Sequence, residues 1–132
     1  MQKMIMLIDD DEEELLILDQ AFQIAGLPYS CVWAGTLDRA RQLLKEVLPD
    51  YIFIDYNMPK INGIECLEQV RREPGVDKVP IIMYSSDFSE TVRLQALSKG
   101  AITCIQKTAS LQMLTQYLRK ILGETKLLHS LR

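Results

Sequence analysis

Histidine is nearly missing from this chain and cysteine is sparse: one histidine, His129, and three thiols, Cys31, Cys66 and Cys104, in 132 residues. An odd number of widely spaced cysteines with no C-x-x-C pair argues against a disulfide framework and against a zinc site. All three fall in apolar segments and read as small buried hydrophobes in a reducing compartment. His129 lies near the C-terminus and reads as a solvated residue, neither ligand nor catalyst. No apolar run is long enough to span a bilayer. Lys3 is the only charged residue before the first apolar run, which is short and ends in acids, so a signal-peptide h-region and cleavage site are missing too. These absences point to a cytoplasmic protein without membrane insertion. Net charge is -3 and the Lys and Arg residues are scattered, so direct nucleic-acid binding is not expected. There is no repeat and no low-complexity segment. Hydrophobic residues at 48% and charged residues at 25% suit one packed domain.

What the chain does have is a series of short, continuously apolar runs ending in polar residues. Met4 to Ile8 is followed by Asp9 and Asp10, Tyr51 to Ile54 by Asp55, Ile81 to Tyr84 by Ser85, and Ile102 to Gln106 by Lys107. Runs of this kind suggest strands covered on both faces, as in a parallel sheet. Between them, apolar residues recur at helical spacing: Leu15, Leu18, Phe22 and Ala25, stopped by Gly26; Leu37, Ala40, Leu44 and Val47; Ile64, Leu67 and Val70. A further helix is expected over about Ser89 to Lys99. The last helix carries the stripe Leu111, Leu114, Leu118 and Ile121. Asp11 with Glu14 reads as an acidic capping box. Tyr29 to Trp33 reads as the second strand. The alternation predicts an α/β fold, a flavodoxin-like five-stranded parallel sheet of order 2-1-3-4-5 with five helices on both faces. One domain is expected over 1–123, with 124–132 as a short tail.

In such a sheet the functional site lies beyond the carboxyl ends of the strands, at the switch point between the first and third. Three carboxylates, a hydroxyl and an ammonium are thereby delivered to one edge. Converging carboxylates repel one another, and a hard cation relieves that cost. Aspartate oxygens with water and a backbone carbonyl suit Mg²⁺. A carboxylate can also attack phosphorus to give an aspartyl phosphate, a transfer that needs neutralisation and alignment above all. Taken singly, each residue has an ordinary alternative. Acids after a strand cap helices, a lysine at a strand end is often solvated, and Ser85 can be a turn hydroxyl. The joint pattern is far more specific.

With Leu7-Ile8-Asp9-Asp10-Asp11, Ile54-Asp55-Tyr56-Asn57-Met58-Pro59, Asn62-Gly63, Pro80 to Ser86 and Gly100-Ala101 ahead of Lys107, the sequence resembles the receiver domain of bacterial two-component response regulators over about Lys3 to Leu122. The 2-1-3-4-5 strand order is one that this family is known to have, so it rests partly on the resemblance. The resemblance implies that Asp55 is the phosphorylated residue, that Asp10 binds Mg²⁺ directly with Asp9 as its neighbour, and that Asn57 offers its backbone carbonyl. Ser85 matches the residue that meets the phosphoryl group and Lys107 the lysine that pairs with it. Asp11 is left to helix capping. The implied partners are a sensor histidine kinase or phosphotransfer protein and a downstream protein target, met through the face of the fourth helix, fifth strand and fifth helix. The chain would be a stand-alone receiver, a monomer or weak homodimer, catalysing only its own phosphorylation and dephosphorylation.

Two positions depart from the family pattern. Thr108 follows Lys107 where proline is usual, and Cys104 stands where an aromatic switch residue is common. The competing readings are a non-phosphorylated docking module and an aspartate-nucleophile phosphatase of the haloacid dehalogenase type. The latter wants a second aspartate where Asn57 stands. A flavodoxin phosphate loop is opposed by the acids 9–12, and an EF-hand by Glu14 in the place of its glycine.

Overall fold

The structure, a computed structural model, describes residues 3–107 and 110–130, with side chains through Gly123. Thr108 and the side chain of His129 lie outside the described residues. The elements are β1 (Lys3–Ile8), α1 (Glu13–Ala25), β2 (Tyr29–Ala34), α2 (Leu37–Glu46), β3 (Tyr51–Asp55), α3 (Gly63–Arg71), β4 (Ile81–Ser85), α4 (Glu90–Ser98), β5 (Ala101–Gln106) and α5 (Leu111–Ser130). A 3-10 turn over Val76–Lys78 precedes β4. All strand pairs are parallel, in the order β2-β1-β3-β4-β5.

The continuous apolar runs divide by alternation into two cores. Met6, Ile8, Ile52, Ile54, Ile81 and Met83 face Ala40 and Leu44 of α2, Leu67 and Val70 of α3, and Ala96 of α4. Ile5, Leu7, Phe53, Ile82, Tyr84 and Ile105 face Leu18 and Phe22 of α1 and Leu114, Leu118 and Leu122 of α5. Period-2 projection sends successive side chains to opposite faces, so a strand with helices on both sides must be apolar at every position. Along α5 the buried stripe is Leu114, Leu118 and Leu122, with Leu111 and Ile121 at its margins. The expected stripe placed Ile121 in the position that Leu122 takes.

Local signals fix the helix starts. Thr36, Asn62 and Ser89 accept the amide protons of Arg39, Glu65 and Val92, satisfying donors that the first turns leave over. Gly26, at φ 71, ends α1 in the left-handed conformation open to glycine. Two expectations differ. Asp11 does cap, accepting from Glu13 N–H at 3.0 Å, but the reciprocal half of the capping box is not formed. The Asp11 amide donates to Asp9 Oδ1 at 2.9 Å, and Glu14 turns to the sheet edge instead. At the other end, the backbone stays helical through Gly123 to Ser130. Gly123 does not adopt a positive φ, and α5 runs on into the segment 124–132 that was expected to be a short tail.

Close packing and a strand irregularity shape the two ends of this scaffold. Gly63, the first residue of α3, packs so closely that a Cβ would lie 2.6 Å from the Tyr56 Cα and 2.9 Å from the Asp55 carbonyl oxygen. On the edge strand β5, Ala101 pairs with Ile81 but Thr103 with Ile82, which leaves Ile102 as an extra, half-exposed residue in a bulge.

Candidate functional site

Register brings the strand ends level. Ile8 pairs with both Ala34 and Ile54, Asp55 with Tyr84, and Ser85 with Gln106. The residues at and just beyond these ends are therefore carried to one edge of the sheet. An open cleft there is lined by Asp9, Asp10, Asp11, Glu14, Ile17, Asp55, Asn57, Ser86 and Lys107. One carboxylate oxygen from each of Asp9, Asp10 and Asp55 lies within 4.8 Å of the others. A Mg²⁺ ion with bonds of about 2.1 Å keeps its ligand oxygens within about 4 Å of one another. The donor set is thus near the span of one hard cation, and it contains only oxygen.

Lys107 is the centre of charge. Its Nζ lies 2.7 Å from Asp9 Oδ2, 3.5 Å from Asp55 Oδ1 and 3.9 Å from Glu14 Oε1. Asp9 is fully buried, and the Lys107 side chain is 15% exposed. The second Asp9 oxygen is held by the Asp11 amide, and its backbone carbonyl accepts from Trp33 Nε1 at 2.7 Å. Asp9 is therefore fixed as the partner of Lys107, whereas Asp10 is exposed at the mouth of the cleft. Burial and the charge of Asp9 push the Asp55 carboxyl up to about 6, against the lowering influence of Lys107. Burial also raises Asp9 despite its bond to Lys107. Burial disfavours charge on Lys107, but the Asp9 bond and the nearby Asp55 and Glu14 carboxylates outweigh it and hold the ammonium above its ordinary range.

The β3–α3 turn holds Asp55 in place. The Asn57 amide donates to Asp55 Oδ1 at 3.2 Å, and the Gly63 amide to the Tyr56 carbonyl at 2.9 Å. Ser85 is buried. Its Oγ accepts from Asn57 Nδ2 at 3.0 Å and lies 3.4 Å from the Asp87 carbonyl. It joins the site through Asn57, while the neighbouring Ser86 lines the cleft wall. The Lys107 amide donates to the Ser85 carbonyl at 2.7 Å, tying the two strand ends together.

The contacts of two residues with Lys107 were not expected from the sequence. Glu14 reads there as a capping residue, and Tyr84 as a core or surface tyrosine with a stand-in for the aromatic switch as the other reading. Glu14 reaches Lys107, and its Oε2 accepts from the Tyr84 hydroxyl at 3.3 Å. The Lys107 ammonium stands 5.2 Å above the centre of the Tyr84 ring. The available signal was position: Glu14 lies five residues past Asp9, on the first turn of α1 directly above the sheet edge.

The profile of the response regulator receiver domain matches residues 5–119, and the chain belongs to that family. It is 28% identical over 122 residues to the phosphate regulon transcriptional regulatory protein PhoB of Rhizobium meliloti, covering 92% of this chain and 53% of the relative. It is 30% identical over 118 residues to the probable C4-dicarboxylate response regulator DctR of Bacillus subtilis, covering 89% and 51%. The chain thus spans about half the length of these curated relatives. Among solved structures, the chemotaxis protein CheY4 of Vibrio cholerae superposes with a TM-score of 0.79 at 22% identity, covering 92% of this chain and 99% of that one. The phosphorylated cyanobacterial phytochrome response regulator RcpA gives 0.78 at 23%, covering 92% and 91%. The matched family is the receiver domain of response regulators, the phosphorylation-dependent switches of two-component systems. Among the described residues, no helix is long and apolar enough to cross a membrane.

Proposed function

We propose that Asp55 is the phosphoryl acceptor, with Mg²⁺ as cofactor and a histidine kinase or phosphotransfer protein as donor. The observation that carries this reading is the convergence of Asp9, Asp10 and Asp55 around a single cation-sized span beside Lys107. In the transfer, an Asp55 carboxylate oxygen forms the new bond to phosphorus while the bond from phosphorus to the donor's nitrogen breaks. No separate substrate is turned over; the chain catalyses only its own phosphorylation and dephosphorylation.

Asp10, Asp55 and the Asn57 carbonyl would hold Mg²⁺, with Asp9 in support because Lys107 and the Asp11 amide already engage both of its side-chain oxygens. When bound, the ion supplies Lewis-acid neutralisation of the phosphoryl oxygens. The chain's own groups do the rest. The Asn57 amide orients Asp55, Lys107 contributes a preorganised positive charge, and Ser85 is available to donate once it is released from Asn57. That release would connect the site to the output face of α4, β5 and α5, through which a downstream protein is contacted. Residues 1–123 would carry all of this, in the cytoplasm.

The test is intact mass after incubation with acetyl phosphate and Mg²⁺. A single phosphoryl adduct is expected, and it should be lost in Asp55→Asn. Labelling of that variant at the normal rate would overturn the assignment.

A further inference from the structure

Glu14 and Tyr84 have no part in the phosphoryl transfer itself, yet they are arranged around its lysine. Tyr84 is 1% exposed, and its ring packs edge-on against Phe53 at 6.0 Å between centroids. A buried phenol needs a hydrogen-bond partner, and the Glu14 carboxylate supplies it at 3.3 Å. The core thereby fixes one Glu14 oxygen and aims the other at Lys107, 3.9 Å away. Lys107 is left among three carboxylates, nearest Asp9, then Asp55, then Glu14.

We propose that Glu14, oriented by Tyr84, is a positioning residue that draws Lys107 away from Asp55 and so opposes the phosphorylated state. This rests on Asp55 being the acceptor. Before transfer, the pull of Glu14 on the lysine competes with that of a singly charged Asp55. Once Asp55 carries a phosphoryl group, its larger negative charge takes the lysine, and Glu14 sets how much of that attraction is spent on displacing it. Glu14 is therefore a built-in counterweight, and its removal favours the switched form.

The test measures affinity for beryllofluoride, a phosphoryl stand-in, in the presence of Mg²⁺, for the protein, Glu14→Gln, Lys107→Met and the double variant. Glu14→Gln keeps an acceptor for the Tyr84 hydroxyl but loses the charge. It should bind beryllofluoride about 3- to 10-fold more tightly, and that gain should vanish in the Lys107→Met background, where there is no lysine to hold. Tyr84→Phe, which keeps the charge but frees Glu14, should move affinity in the same direction by less. An equal gain with and without Lys107 would mean plain relief of repulsion, and no gain would mean no counterweight; either overturns the proposal. A second readout is the Lys107 side-chain NMR signal without beryllofluoride. It should shift in Glu14→Gln, and an unmoved signal also overturns the proposal. Failure of beryllofluoride to bind the unaltered protein would instead overturn the reading of Asp55, and this signal would still report whether Glu14 holds the lysine.

Discussion

Lys107 and Asp9 stand 98 residues apart in the chain and meet at 2.7 Å, one nearly and the other wholly buried. The lysine is the one cation among the described residues lining the cleft, set against four Asp residues and one Glu. Lys107→Ala should destabilise the Mg²⁺-free protein at pH 7 by about 2–3 kcal/mol, since it leaves buried carboxylates without their counter-charge. Mg²⁺ should recover much of the loss by occupying the same field. Urea titrations with and without Mg²⁺ measure both effects, and a variant as stable as the parent in the absence of the ion would contradict this role for the lysine.

Asp55 predicts the opposite behaviour. Its folded pKa, about 6, lies above the ordinary carboxylate value, so between about pH 4 and 6 the folded state binds more protons than the unfolded one. Stability contributed by protonated Asp55 is present below about pH 4 and is lost as pH rises through 6. Asp55→Asn should therefore stabilise the Mg²⁺-free protein at pH 7 by about 1–2 kcal/mol, less than the full shift implies because the cleft is open to water. Below pH 4 the two proteins should unfold alike. Thermal melts across that range give the answer.

Gly63 couples packing to the site. A methyl group there meets backbone on both sides, the Tyr56 Cα and the Asp55 carbonyl, as well as the Met83 side chain. Backbone cannot rotate aside, so Gly63→Ala should cost about 2 kcal/mol or more. It should also slow phosphorylation by shifting the turn that presents Asp55. Denaturation and phosphorylation rates measured on one preparation test both halves.

Met113 and Tyr117 are 45% and 36% exposed on the side of α5 away from its buried stripe, and Lys120 is exposed beside them. Tyr117 and Lys120 border a groove with Cys104 and Gln106 of β5. If this face is the output, beryllofluoride with Mg²⁺ should shift the amide signals of Glu90–Ser98 and of 111–122. Changes restricted to the loops around Asp10 and Asp55 would place the readout elsewhere. The partly buried Cys104 lines that groove at the position where the resemblance implies an aromatic switch residue.

The sheet was readable from the chain because a strand buried on both faces must be apolar throughout, and each run ends on the polar residue it delivers. Asp9, Asp55 and Ser85 were legible for that reason, whereas Lys107 follows the edge strand β5, whose Thr103 and Gln106 interrupt the apolar run, and was picked out by the joint pattern. Glu14 was not, because one acidic residue in a first helical turn looks the same whether it serves the helix dipole or a lysine on a distant strand. Tyr84 was hidden by the same logic that revealed its strand, since nothing in an apolar run marks which ring carries a bonded hydroxyl. The continuation of α5 past Gly123 was also missed. Glycine weakens a helix without compelling it to end.

The bulge at Ile102 has a consequence for the protein in a crowded solution. β5 closes one side of the sheet, and a regular strand there would offer a straight row of free amides and carbonyls to any passing chain. The extra residue breaks the spacing of that row and increases its twist. A foreign strand can then match it over only part of its length. The open border of the sheet is thereby kept from permanent attachment to a passing chain.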